Sequence, residues 1–251
     1  MRVLVATAVL VERDAVAAAF APSTAREYAI PGATLSRVAP PQGGPAVFDL
    51  LAAGVGPAAA AAATAAALTA AALDEQSDEQ SSGPYDLVVS AGIGGGFQPE
   101  APVGSLVLAD EITAADLGAE TPAGFVPVTE LGFGAVTHRP PESLVRAVAA
   151  VTGARTGAVL TVNTVTGSAA RAAELRRRHP RALAEAMEGF GVAEAAAAHG
   201  VPVLELRAVS NPVGPRDRAA WRIGDALAAL TGAFGKLAPA LESWNPHDRT
   251  Q

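Results

Sequence analysis

Short runs of β-branched and aliphatic residues alternate along the chain with longer Ala- and Leu-rich segments of helical spacing. That alternation predicts its elements before any single residue is weighed. Val3-Leu4-Val5-Ala6 reads as a buried strand, followed by a helix over 12–20. Residues 46–53 read as another strand, turned by Gly54-Val55-Gly56 into a long helix that starts near Pro57. Further strands are predicted at 87–89, 106–112, 181–186 and 203–209, and further helices at 142–151, 169–178, 188–199 and 221–237. Near-continuous apolar strands interleaved with helices belong to a sheet covered on both faces. The expected fold class is α/β: a single domain spanning 1–251, with a central, largely parallel mixed twisted sheet flanked by helices. Residues 74–84 (DEQSDEQSSGP) read as a solvated loop and 242–251 as a loose tail. The stretch 113–141, rich in Gly, Pro and Thr, has no periodicity and is expected to be a functional loop.

Composition narrows the chemistry. With 50% hydrophobic and 17% charged residues the chain can bury a core, which excludes wholesale disorder. It has no cysteine, so disulfide frameworks, thiolate zinc sites and thiol nucleophiles are excluded. Four scattered histidines (138, 179, 199, 247) lack the spacing of a metal site. A net charge of −7 argues against nucleic acid or an anionic membrane as the main partner. The Ala-rich stretch 58–72 approaches membrane-span length, yet with Thr64 and Thr69 inside it is too weakly hydrophobic and reads as a packed soluble helix. Residues 2–11 are followed at once by Glu12, Arg13 and Asp14, which does not fit a secretory leader, so a cytoplasmic location is expected.

In open α/β sheets ligands bind outside the carboxyl ends of strands. That rule selects Glu12, the glycine run 91–97 (AGIGGGF) with Gly94 and Gly95 at its centre, the pair Met187-Glu188, and Asn211. A dinucleotide site would need a helix to begin at the glycine run, and Gln98-Pro99-Glu100-Ala101-Pro102 prevents one. The run is either a tight turn or, as favoured here, a loop laying its backbone against a sugar or base. Glu12 alone reads as an acidic residue at a solvated helix start. Glu188 sits in Ala-Met-Glu-Gly-Phe-Gly-Val-Ala, where an unpartnered carboxylate is costly, and a ribose diol would offer it two donors. Arg207, inside an apolar strand, raises the same question; a buried ion pair with Glu188 or Glu205 is an equal alternative to a role in binding.

Taken in order, Glu12 after the first strand, the glycine run, Ala186-Met187-Glu188 and Arg207-Ala-Val-Ser-Asn211 resemble the purine nucleoside phosphorylase and 5′-methylthioadenosine nucleosidase superfamily. Residues 115–125 (ADLGAETPAGF) and 210–223 (SNPVGPRDRAAWRI) resemble its futalosine hydrolase family more narrowly. The resemblance implies hydrolysis of a small nucleoside, with release of hypoxanthine, in menaquinone biosynthesis, and it implies no cofactor and no metal. It implies that Glu12 activates water and that Met187 and Glu188 hold the ribose. It also puts Arg207 at the sugar end and Asn211 at the base, with Ser210 or Asp217 helping there. Asn211 departs from adenine-directed relatives, which carry Asp; an amide donates to the acceptors O6 and N7 of hypoxanthine. Ile93 departs too, standing where those relatives carry Ser. Phosphorylases place a Gly-Arg loop after the first strand, and Thr7-Ala-Val-Leu-Val-Glu12 offers neither residue, so water is favoured over phosphate. A purine-nucleoside sensor would keep Glu188 but have no use for Glu12. The resemblance further implies a homodimer or larger homo-oligomer, with the segment 113–137 near the partner subunit.

Overall fold

The apolar runs become strands because their side chains are buried on both faces. In β1 (Arg2–Thr7), Val3 and Val5 enter one core while Leu4 and Ala6 enter the other. The computed structural model describes residues 1–23, 25–40, 46–77, 83–242 and 244. After β1 come α1 (Leu10–Ala18), a hairpin β2 (Arg26–Ile30) and β3 (Ala33–Val38), β4 (Val47–Ala52) and α2 (Pro57–Ser77). β5 (Leu87–Gly96), β6 (Leu106–Ala114), a second hairpin β7 (Gly118–Thr121) and β8 (Gly124–Pro127), and the short β9 (Thr137–His138) follow. The chain continues through α3 (Glu142–Thr152), β10 (Arg155–Thr161), α4 (Ala169–Arg178), β11 (Ala182–Ala186), α5 (Gly189–Ala198), β12 (Val203–Pro212) and α6 (Ile223–Glu242).

The main sheet runs β11-β10-β6-β12-β5-β1-β4-β3-β2, and an additional antiparallel pairing of β11 with β5 closes its first five strands into a ring. β1, β4, β5 and β12 are parallel neighbours, as are β6, β10 and β11, while β12 meets β6 antiparallel. The sheet is therefore mixed, as expected. α1, α3 and α6 cover one face of it, and the Ala-rich α2 and α5 the other.

Ring closure corrects the expectation of a glycine loop. Residues 92–96 are the second half of strand β5, paired with β12 from Gly92↔Arg207 to Gly96↔Pro212. Glycine is a poor strand former, which is why the run reads as a loop. Here the backbones crowd too closely for side chains: a Cβ on Gly94 would lie 2.9 Å from the Glu185 carbonyl oxygen, and one on Gly96 2.1 Å from that of Ala101. The supposedly irregular 113–141 contains the β7–β8 hairpin and β9, strands too short to show periodicity. The loop expected from residue 74 begins later, since α2 runs to Ser77; residues 78–82 lie outside the described residues. Of the expected tail, Glu242 ends α6 and Trp244 donates to Ser143 Oγ at 3.3 Å, and the remainder lies outside the described residues. Among the described residues no helix is long and apolar enough to cross a membrane.

α2 and α5 pack closely, and the buried residues they bring to the shared core are mostly small: Ala60 and Ala67 from α2, Val192, Ala193 and Ala196 from α5. Gly191 is the tightest point: a Cβ there would stand 2.0 Å from the carbonyl oxygen of Pro57. Backbone on one side leaves the methyl nowhere to go, so Gly191→Ala should force the helices apart at a cost of about 1–3 kcal/mol. A fall in the thermal midpoint of several degrees is expected by calorimetry; an unchanged midpoint would mean that α2 and α5 can separate freely.

Candidate active site

A cavity of about 420 Å³ opens at the carboxyl ends of β1, β5, β11 and β12, where ligands bind in α/β sheets. Its floor is the second half of β5, and the polar groups are arranged along that strand.

Near Gly92 and Ile93 stand the carboxylates. β1 ends at Thr7, and Glu12, in the first turn of α1, reaches back toward it. Glu12 Oε2 accepts the N–H groups of Ala8 at 3.0 Å and Val9 at 3.3 Å, the return arm of a capping box. Its Oε1 accepts from Ile93 N–H at 2.8 Å. The side chain lines the cavity yet is only 4% exposed, so Glu12 is no solvated helix-start residue. Glu188, at the junction of β11 and α5, turns Oε1 to Gly56 N–H at 3.2 Å and Oε2 to Met187 N–H at 3.3 Å. Beneath them Arg207 is fully buried. It donates to Glu205 Oε1 and Ser90 Oγ, both at 2.9 Å, and to Glu188 Oε2 at 3.4 Å.

Burial pushes the Arg207 pKa down, but the charges of Glu205, Glu188 and Glu12 outweigh it and hold the guanidinium above its ordinary value. Burial pushes the Glu205 carboxyl up, against the opposing pull of Arg207. Gly92 provides the room for this cluster. A Cβ there would fall 2.6 Å from Glu12 Oε1 and 2.8 Å from Arg207 Nη1. Gly189 does the same for Glu205, whose two carboxyl oxygens would each lie 2.2 Å from a Cβ.

Three residues further along β5, about 10 Å at strand rise, Gly95 marks the other end. Its register partners are Asn211 on β12 and Glu185 on β11. Ser210 Oγ donates to Asn211 Oδ1 at 2.8 Å, and Asn211 Nδ2 donates to Pro212 O at 3.0 Å. The amide is thereby oriented, with its second N–H left for a ligand. Glu185 is buried and takes two bonds from Thr166, its N–H at 2.7 Å and its Oγ1 at 2.5 Å. Val165, Val213, Arg216 and Trp221 complete this end, the Arg216 guanidinium lying 5.2 Å from the centre of the Trp221 ring.

The structure thus brings Glu12, Gly94, Gly95, Met187, Glu188, Ser210 and Asn211 to one cavity. Arg207 lies behind the wall and touches the cavity only through Glu188, as the ion-pair alternative anticipated. Asp217 does not reach it: the residue is exposed and accepts from Ala219 N–H at 3.1 Å, capping the 3-10 turn Arg218–Ala220. Ile93 contributes its backbone N–H to Glu12 rather than a hydroxyl. Sequence reasoning missed Glu185, Thr166, Arg216 and Trp221. Glu185 carried the signal that flagged Glu188, a carboxylate in an apolar strand, Ala-Leu-Ala-Glu-Ala, and Arg216 and Trp221 lie within the stretch 210–223 that carries the resemblance. Three acids, Glu12, Glu185 and Glu188, face the cavity with Arg216 as the one lining cation among the described residues, so a cationic centre is favoured inside it and a dianion is not. No group of three or more Asp, Glu or His side chains among the described residues is arranged to hold a metal ion.

Comparison with known proteins shows the family to which the chain belongs. The family model of the phosphorylase superfamily matches residues 25–240, a range that begins after Glu12. The chain is 75% identical over 249 residues, 99% of its length and 100% of the relative's, to a futalosine hydrolase of Streptomyces coelicolor. It is 47% identical over 161 residues, 62% of its length and 66% of the relative's, to a futalosine hydrolase of Acidothermus cellulolyticus. Among solved structures, the futalosine hydrolase of Helicobacter pylori has the same fold, with a TM-score of 0.76 at 16% identity over 95% of this chain and 97% of that one. The chain therefore belongs to the phosphorylase superfamily and, within it, to the futalosine hydrolase family.

Proposed function

We propose that this chain, folded as one nucleosidase domain, hydrolyses futalosine. Water would cleave the N-glycosidic bond to release hypoxanthine and dehypoxanthine futalosine, a step of menaquinone biosynthesis. The observation that carries the reading is the 75% identity to a futalosine hydrolase along nearly the whole chain. The cavity supports it with a carboxylate pair at one end and an oriented amide at the other, spaced for a ribose and its base.

Breaking the bond develops positive charge at C1′ of the ribose and negative charge on the departing purine. Glu12 takes a proton from water as its oxygen bonds to C1′, and its charge favours the oxocarbenium-like transition state. Because three backbone N–H groups fix Glu12, little reorganisation accompanies that step. Glu188 accepts from the ribose hydroxyls and Met187 packs against the sugar. Asn211, oriented by Ser210, donates to O6 or N7 of hypoxanthine and stabilises the leaving anion. Arg207 positions Glu188. Phosphorolysis would need several donors around a dianion, and the described lining provides Arg216 alone as a cation.

Val9, Leu10, Val11 and Val55 are exposed apolar residues beside or near the cavity mouth, which supports assembly of the chain with further copies of itself. We also propose that the reaction runs in the cytoplasm.

Incubation with futalosine, with and without phosphate, tests the reading by chromatography of free base. Hypoxanthine should appear at the same rate in both; release that depends on phosphate, or adenine release from methylthioadenosine alone, would replace it. Glu12→Gln should lower turnover by about 10²–10⁴-fold, the usual effect of removing a general base, while hypoxanthine still binds. A rate within a few-fold of wild type would assign the water to another group. Glu188→Ala should weaken kcat/KM for ribonucleosides by about 1–3 kcal/mol more than for their 2′-deoxy analogues, which lack one hydroxyl partner. Equal losses on both would return Glu188 to a structural role.

A further inference from the structure

Glu205 is fully buried and takes no part in the proposed chemistry. It stands two residues before Arg207 on β12, so both side chains leave the strand on the same face. Gly189, at the start of α5, leaves the room for its carboxyl. The charges that act on Arg207 are Glu205 from its own strand, Glu188 from the junction of β11 and α5, and Glu12 from α1. Of its neighbouring strands, β5 brings the Ser90 hydroxyl and β6 the apolar Val107.

The carboxylates do not share the guanidinium equally. Arg207 Nε donates to Glu205 Oε1 at 2.9 Å, while Nη1 stands 3.4 Å from Glu188 Oε2, longer than the charge-assisted range of about 2.7–2.9 Å. Burial pulls the Arg207 pKa down, and Glu205 is the foremost of the three charges that hold it up. Burial also works against the ionised form of Glu205, and the adjoining guanidinium works for it. The geometry favours that form: among the described residues nothing bonds Glu205 Oε2, so a proton there would be a buried donor without an acceptor. Glu205 therefore absorbs charge that would otherwise fall on the cavity wall. A carboxylate locked onto a guanidinium has fewer acceptor directions left for hydroxyls, and one beside an uncompensated cation is a poorer base.

We propose that Glu205 is a positioning residue for the cavity carboxylates: by holding Arg207 on its own oxygen it leaves Glu188 free to accept hydroxyls and Glu12 free to accept a proton. This rests on the nucleosidase reading and adds a residue behind the wall that sets the strength of the base in front of it.

The test compares wild type, Glu205→Gln and Glu205→Asp by the pH profile of kcat/KM for futalosine, whose acid limb reports the carboxylate that must be ionised in the free enzyme. Glu205→Gln keeps the shape and removes the charge; Glu205→Asp keeps the charge and loses one methylene. In Glu205→Gln the acid limb should move to lower pH by roughly half to one unit. The preference for an inosine over a 2′-deoxyinosine substrate should fall at least about threefold in the same variant. Glu205→Asp should keep its acid limb within about 0.3 unit of wild type, even where its rate falls. A Glu205→Gln enzyme that matches wild type would mean that the carboxyl is already neutral, and one that loses rate with its acid limb in place would mean that it only fills space. Either result overturns the inference, as does an acid limb that moves equally in both variants. Should Glu205→Gln fail to fold, the double variant Glu205→Leu/Arg207→Leu decides, since apolar groups of similar volume often replace a buried ion pair without loss. Opposite charges leave together there, so the acid limb should rise by less than about one unit; a larger rise would show the Arg207 charge acting on the cavity undivided and overturn the assignment. Wild-type protein that releases no hypoxanthine from futalosine would overturn the proposed function instead, with Glu205 then judged by calorimetric binding of inosine against 2′-deoxyinosine.

Discussion

Arg207 has no water to turn to, and the end of the cavity near Ile93 is arranged around that fact. Moving an ion of this kind out of water costs several kcal/mol even after the protein relaxes, and only close partners offset it. Glu205 and Ser90 supply the short bonds and Glu188 a longer one, while the charge of Glu12 adds to the field. The guanidinium in turn makes it tolerable to keep two nearly buried carboxylates at the wall of an apolar cavity. Without it, Glu12, Glu188 and Glu205 would repel one another in a medium that screens charge poorly. The charge that fixes these side chains is thus what would let the proposed reaction favour a cationic sugar there.

This cluster exists only because β5 has no side chain at Gly92. A single methyl would overlap both the Glu12 carboxyl and the Arg207 guanidinium. The same absence of side chains lets β5 coil until β11 pairs with it and closes the ring. One glycine-rich strand therefore provides the room for the charges and the curvature of the floor. It also keeps the site on paired backbone rather than on a loop, which holds the donors and acceptors to a narrow range of positions.

Along that floor the polar groups change in kind. Carboxylates under backbone N–H control occupy the end near Ile93; an oriented amide and the Thr166-bound Glu185 occupy the end near Gly95. In the proposed reaction, bond cleavage between the two ends would separate positive charge toward the first from negative charge toward the second. The Glu12 and Glu188 carboxylates and the Asn211 amide already point the right way for that separation and need no rearrangement as the charge develops.

The sequence by itself determined the α/β class, the mixed sheet, most of the helices, and seven residues that the cavity collects. Each of these rests on local physics: apolar runs that must be buried, turn residues that must break them, and polar residues at strand ends. A carboxylate in apolar surroundings marks Glu188, and the same logic applies to Glu185, although its strand neighbours look like plain core. Only the tertiary structure decided that residues 92–96 are strand, that Arg207 acts from behind the wall, that Asp217 caps a turn outside the cavity, and that Glu185 faces Asn211 across Gly95. None of these is a property of a segment. A glycine is a loop former until a backbone packs against it, and a charge is costly until a partner from a distant strand arrives. Side chains far apart in sequence share a site only once the register between their strands is fixed.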